Sequence, residues 1–148
     1  ENEEFGHRLS INHKILLDPS IAVRHAFPNF KKLTITYFSR VAQWMMLFMK
    51  RRKFEAGGPA AQNIGLASMA FPVFIASFLG LLITPWTWLL TGLAAGIYLW
   101  GYAGFFRFTL KKRPIFLPSV ILLNGYFCFI ISAGAAWGIL AYLYKQKP

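Results

Sequence analysis

Hydrophobic and polar positions fall into two regimes along this chain. From Ala56 to Phe106 no residue is charged, and after Arg107, Lys111, Lys112 and Arg113 a second uncharged run extends from Pro114 to Tyr144. A helix needs about 20 apolar residues to cross roughly 30 Å of hydrocarbon. The runs predict three such helices, over residues 63–84, 86–106 and 118–142. Thr84-Pro85 is the only break between the first two, which predicts a tight helical hairpin. Pro85 suits the first turn of the second helix, where its missing N–H costs little. Pro72 falls inside the first span and is expected to kink it. A water-soluble bundle would have to hide both runs inside a chain too small to cover them.

Ahead of the spans the pattern changes period. Phe30, Leu33, Tyr37, Val41, Trp44 and Phe48 recur at three- and four-residue steps, one stripe of a helix. Lys31, Lys32, Ser39, Arg40 and Gln43 fall mostly elsewhere, and Lys50 to Lys53 form a basic cluster. An aromatic face with a cationic flank predicts a helix lying in the headgroup plane, attracted to anionic lipid. Gly57-Gly58-Pro59 then lets the chain turn into the bilayer. A basic patch also suits nucleic acid, but a membrane anchor follows within a few residues, so no nucleic-acid partner is expected.

Composition strengthens this picture. Apolar residues make up 56% of the 148 and charged ones 14%, against about 25% charged in soluble domains. The formal charge is +11, and all five acids (Glu1, Glu3, Glu4, Asp18, Glu55) precede residue 56. Cys128 is the only cysteine, which excludes an intramolecular disulfide framework and a Cys-based zinc site. The first residue is Glu1, not Met, and no cleavable signal is present, so the chain reads as the tail of something longer. Two crossings return the chain to one side, so the clusters at 50–53 and 107–113 share a face. The positive-inside rule makes that face cytoplasmic and puts the C-terminus outside. Residues 1–62 and 107–113 are then cytoplasmic, and the expected location is the bacterial inner membrane. Trp86 and Trp88 fit the outer interface, and Tyr98, Trp100 and Tyr102 the inner one.

Small residues recur at helical spacing in the spans. Gly92 and Gly96, Gly134 and Gly138, and more loosely Ala76 and Gly80 are four apart. Such pairs let helix backbones approach closely, either within the three-helix bundle or against a second copy or partner helix of a larger complex. Asn124 is the one strongly polar side chain deep in a span and reads as an interhelical hydrogen bond. No Asp, Glu, Lys, Arg or His lies within a predicted span, which leaves a transporter or channel component without a carrier group.

The first 27 residues hold the remaining candidate chemistry. Residues 3–9 are expected to be a short helix with acids at its N-terminal end. Lys14–Leu17 and Ile21–His25 read as short strands on either side of an Asp18-Pro19-Ser20 turn. Read by composition alone, Glu1, Glu3, Glu4 and His25 are surface polar groups.

The run Glu1-Asn2-Glu3-Glu4-Phe5-Gly6-His7-Arg8-Leu9, followed by Asp18-Pro19-Ser20-Ile21-Ala22-Val23-Arg24-His25, resembles the end of the catalytic domain of family-2 glycosyltransferases, enzymes of GT-A fold. Phe30-Lys31-Lys32-Leu33, Tyr37-Phe38-Ser39-Arg40, Trp44 and Arg51-Arg52-Lys53-Phe54 resemble the amphipathic linker of its membrane-bound members. The resemblance covers residues 1–60 in motif and the rest in layout. It implies a mainly α membrane protein: residues 1–27 a short α/β remnant of a GT-A-like domain, 28–56 an interfacial amphipathic helix and linker, and 57–148 three transmembrane helices.

The resemblance also implies roles. In inverting members an Asp beside a Glu takes the acceptor hydroxyl's proton. Those positions align with Glu1 and Asn2, and Asn2 is an amide, so Glu1, Glu3 or Glu4 substitutes or the alignment is displaced by one or two. His25 resembles the histidine that reaches a metal-bound nucleotide diphosphate, the metal being Mg or Mn. Arg8 braces the acidic loop or meets a phosphate. Arg40 and Trp44 loosely resemble the Q-x-x-R-W motif of processive polymer synthases, but the motif itself is absent and no polymer synthase is expected. The nucleotide-binding half and the aspartate-x-aspartate metal site are also absent, Asp18 being the only aspartate. The expected function is the C-terminal membrane portion of a glycosyltransferase. It would move sugar from a nucleotide donor to a lipid-linked or membrane-proximal acceptor, be inactive alone, and need no cofactor as this chain. The other reading is a noncatalytic membrane accessory subunit, a glycosyltransferase-like remnant within a larger complex.

Overall fold

The structure, a computed structural model, describes residues 9, 11–14, 16, 28–52 and 62–145. Four helices dominate: α1 (Phe30–Arg51), α2 (Gln62–Gly80), α3 (Trp88–Lys112) and α4 (Leu117–Lys145). Short 3-10 turns, Pro85–Thr87 and Pro114–Phe116, lead into α3 and α4. Among the described residues three helical segments are long and apolar enough to cross a membrane: Asn63–Gly80, Pro85–Lys112 and Pro114–Lys145.

The helix ends follow from proline and capping chemistry. Asn29 caps α1, its Oδ1 accepting from the Lys32 N–H at 2.9 Å. Arg52 closes α1 in a left-handed conformation, φ 58°, and its N–H returns to the Phe48 carbonyl. The first span ends at Gly80, four residues before the predicted limit. Proline pushes the residue before it out of the helical region, and Thr84 is accordingly extended at φ −147° ahead of Pro85. The second span overruns its predicted end, because helix α3 continues to Lys112. Lys111 and Lys112 occupy its last turn, where the dipole favours cations. Arg113 ahead of Pro114 likewise leaves the helical region, at φ −153° and ψ 74°. The α/β expectation is not met where it can be read. Leu9, Ile11 and Asn12 are helical, and Lys14 and Leu16 are not in a strand. Residues 21–25 lie outside the described residues.

Helices α2 and α3 form the expected antiparallel hairpin. A Cβ on Gly80 would stand 3.3 Å from Thr87 Cγ2, and one on Gly101 would meet Ala67 and, at 2.9 Å, the Asn63 carbonyl oxygen. Helix α4 crosses this hairpin through Gly125, which faces the Phe71 ring. The aromatic stripe of α1 is turned partly onto protein. Phe30 and Tyr37 stack on Tyr126 and Phe127 of α4, at 5.1 and 5.0 Å for the closest pairs. Further along, Phe38 and Val41 meet Gly134, and Ala42 and Met45 meet Gly138. The two helices therefore run in the same direction, with α4's glycine pair seating α1 instead of another span. A Cβ on Gly92 or Gly96 of α3 would meet no neighbouring element within 4 Å.

Candidate functional site

The most polar place among the packed helices is where α2, α3 and α4 meet. Its apolar floor is Ala67, Tyr98, Tyr102 and Cys128. Tyr98 and Tyr102 are one helical turn apart on α3, so both side chains reach the same neighbours. They are 5% and 9% exposed, which corrects their assignment to an interfacial aromatic belt. Trp86, Trp88 and Trp100 remain exposed. Phe71 packs at 4.8 Å on Tyr98 and edge-on at 5.6 Å to Phe129, closing one side.

The hydrogen bonds have a derivable direction. Ser68 Oγ lies 2.8 Å from the Ile64 carbonyl, which can only accept. A hydroxyl has one proton, so with that proton on Ile64 the serine oxygen accepts from Tyr102 O–H at 2.6 Å. Tyr98 O–H donates to Asn124 Oδ1 at 2.8 Å. The Cys128 thiol stands 3.8 Å from the Tyr102 hydroxyl and 3.7 Å from Asn124 Oδ1, a weak donor shared between two acceptors. Asn124 thus makes the interhelical bond its position implies.

Pro72 explains one further bond. Proline carries no N–H, so α2's interior loses the bond that position 72 would make to the carbonyl four residues back, at Ser68. In hydrocarbon an unpaired carbonyl is costly and must be met from within the protein. Ser132 Oγ of α4 donates to that carbonyl at 3.2 Å. No buried side-chain N or O among the described residues lacks a partner. Ser132→Ala should therefore destabilise the bundle by about 0.5–1.5 kcal/mol. The cost should shrink in a Pro72→Ala background, where the N–H at position 72 returns. A double-mutant cycle of unfolding in detergent reads the coupling; strict additivity would remove the pairing.

Chemically this cluster joins helices. Its donors end on carbonyl oxygens and hydroxyls, and no Asp, Glu, Lys, Arg or His falls between residues 63 and 106 to take a proton or carry an ion. Of the residues singled out for chemistry, Glu1, Asn2, Arg8 and His25 lie outside the described residues. Arg40 is exposed and Trp44 half-buried, one turn apart on α1. Among the described residues no group of three His, Cys, Asp or Glu side chains could hold a metal ion. The cluster was only partly legible in sequence: Asn124 was visible, whereas Ser68, Tyr102, Cys128 and Ser132 come together only through tertiary packing.

No family model matches this chain, and no curated protein or solved structure matches it at a significant level.

Proposed function

We propose that this chain is the C-terminal membrane portion of a family-2, GT-A-fold glycosyltransferase. The whole enzyme would move sugar from a nucleotide-sugar donor to a lipid-linked or membrane-proximal acceptor. The observation that carries the reading is the order of elements: the acidic run Glu1–Glu4 with Arg8, the Asp18 to His25 run, an amphipathic helix bearing Arg40 and Trp44, then three apolar helices. The described residues include three helices long and apolar enough to anchor such an enzyme. Glu1 with its acidic neighbours would serve the acceptor proton, and His25 the nucleotide. Among the described residues no Asp or Glu stands to hold a Mg or Mn ion.

One observation favours a second reading. The open face at Gly92 and Gly96 leaves room for a partner helix or a second copy, as an accessory subunit in a larger membrane complex would need. Intact mass of the native polypeptide separates the two. A mass well above 16.8 kDa, together with no nucleotide-sugar turnover by the purified 148-residue chain, is the expected result. A native mass of that size, with stoichiometric association to another membrane protein, would overturn the enzyme reading in favour of the subunit.

The orientation belongs to the same proposal, with residues 107–113 on the cytoplasmic side of a bacterial inner membrane and the C-terminus outside; α1, which lies beside Tyr126–Gly138 of α4, is then held against that span and not flat in the headgroup plane. Cys128 is fully buried and does not compete for a maleimide. Lys112→Cys should then be labelled by an impermeant maleimide only after the membrane is opened; labelling of intact cells would reverse the orientation.

A further inference from the structure

We infer that the turn joining α3 to α4 is a docking surface for the anionic phospholipid headgroups of the bilayer. Arg107, Lys111, Lys112 and Arg113 are all exposed there. Arg107 and Lys111 are one helical turn apart on α3, and Lys112 and Arg113 stand at its end. None of the described residues is an Asp or Glu, so no carboxylate among them offsets these four charges. The helix ends do not either. The C-terminal end of α3 carries about half a negative charge and the N-terminal end of α4 about half a positive one. These cancel, and four full charges remain.

The company of these cations identifies the anion. Phe105, Phe108, Leu110, Ile115 and Phe116 stand among them, between 48% and 83% exposed. Cations suffice for a soluble anion, and five large apolar side chains held in water beside them would be unfavourable. The edge of a bilayer suits both sets, with rings and branched chains at the acyl boundary and the cations level with the phosphates. The inference rests on the turn alone and stands apart from the glycosyltransferase reading.

The test uses the full chain in a neutral detergent, titrated with phosphatidylglycerol, phosphatidylcholine or inorganic phosphate. Retained lipid is counted by native mass spectrometry. Phosphatidylglycerol should be retained about ten-fold more tightly than phosphatidylcholine, and inorganic phosphate should not displace it. Arg107→Gln/Lys111→Gln/Lys112→Gln/Arg113→Gln should remove most of the preference, while Lys31→Gln/Lys32→Gln on α1 should lower it less. Lys111→Gln/Lys112→Gln alone gives a smaller loss of the same sign and serves if the fourfold variant does not fold. Equal retention of the two lipids, displacement by phosphate, or an undiminished preference in the turn variants overturns the proposal.

Discussion

Replacing Gly138 with valine should release α1 from α4. A Cβ at that position would meet the Ala42 carbonyl oxygen, with Met45 Cβ at 2.8 Å and the Ala42 carbonyl carbon at 3.0 Å. Backbone atoms of a helix cannot step aside as the end of a flexible side chain can. A Cβ at Gly134 would likewise stand 2.7 Å from the Phe38 carbonyl oxygen, so the helix cannot pivot away from one glycine onto the other. Overpacking costs typically 1–3 kcal/mol, and valine at position 138 should reach about the upper figure. Gly96→Val is the matched control, since a Cβ at Gly96 would meet no neighbouring element within 4 Å; in a monomer it should change stability by less than about 0.5 kcal/mol. Equilibrium unfolding in detergent compares them, and equal losses at both positions would show that the seat on α4 is not what holds α1.

Asn124→Asp should cost up to about 2.5 kcal/mol, the lower figure for a carboxylate at the centre of a span, since Asn124 lies in the second turn of α4. The substitution keeps the shape of the side chain and the oxygen that accepts from Tyr98 and Cys128. What changes is a negative charge with no Lys or Arg between residues 114 and 144 to pair with it. In a water-solvated bundle two donors beside a carboxylate would make the change mild. The size of the loss therefore reports the medium around α4. Stability in lipid bicelles, compared with Asn124→Leu, gives the measurement. A carboxylate tolerated as well as the amide would argue against α4 being a lipid-embedded helix.

The helices were legible because absence of charge over 20 or more residues is a local property. Their ends were less so: Pro85 and Pro114 act on Thr84 and Arg113, and the cations at 111 and 112 are accommodated by the helix dipole instead of stopping the helix. Glycine spacing says that a close approach is allowed and not which helix makes it. Gly134 and Gly138 receive α1, Gly92 and Gly96 receive nothing within 4 Å, and Gly101 and Gly125, without a four-residue glycine partner, take the contacts between spans. Tyr98 and Tyr102 carry an amphipathic side chain that suits either an interface or a polar interior. Only their distant partners, Ser68 and Asn124, decide between the two. The residues proposed for chemistry, Glu1, Asn2, Arg8 and His25, lie outside the described residues, so their reading rests on motif alone.

The seat of α1 has a consequence for synthesis. Thr34 meets Tyr126 through their hydroxyls across 92 residues. At ribosomal speeds of about 5–20 residues per second, α1 would leave the ribosome roughly 5–20 s before its docking helix exists. Throughout that interval its ring-bearing side has no polypeptide to cover it. The bilayer surface nearby is the available temporary cover, so the amphipathic pattern serves the nascent helix first and the finished pairing afterwards.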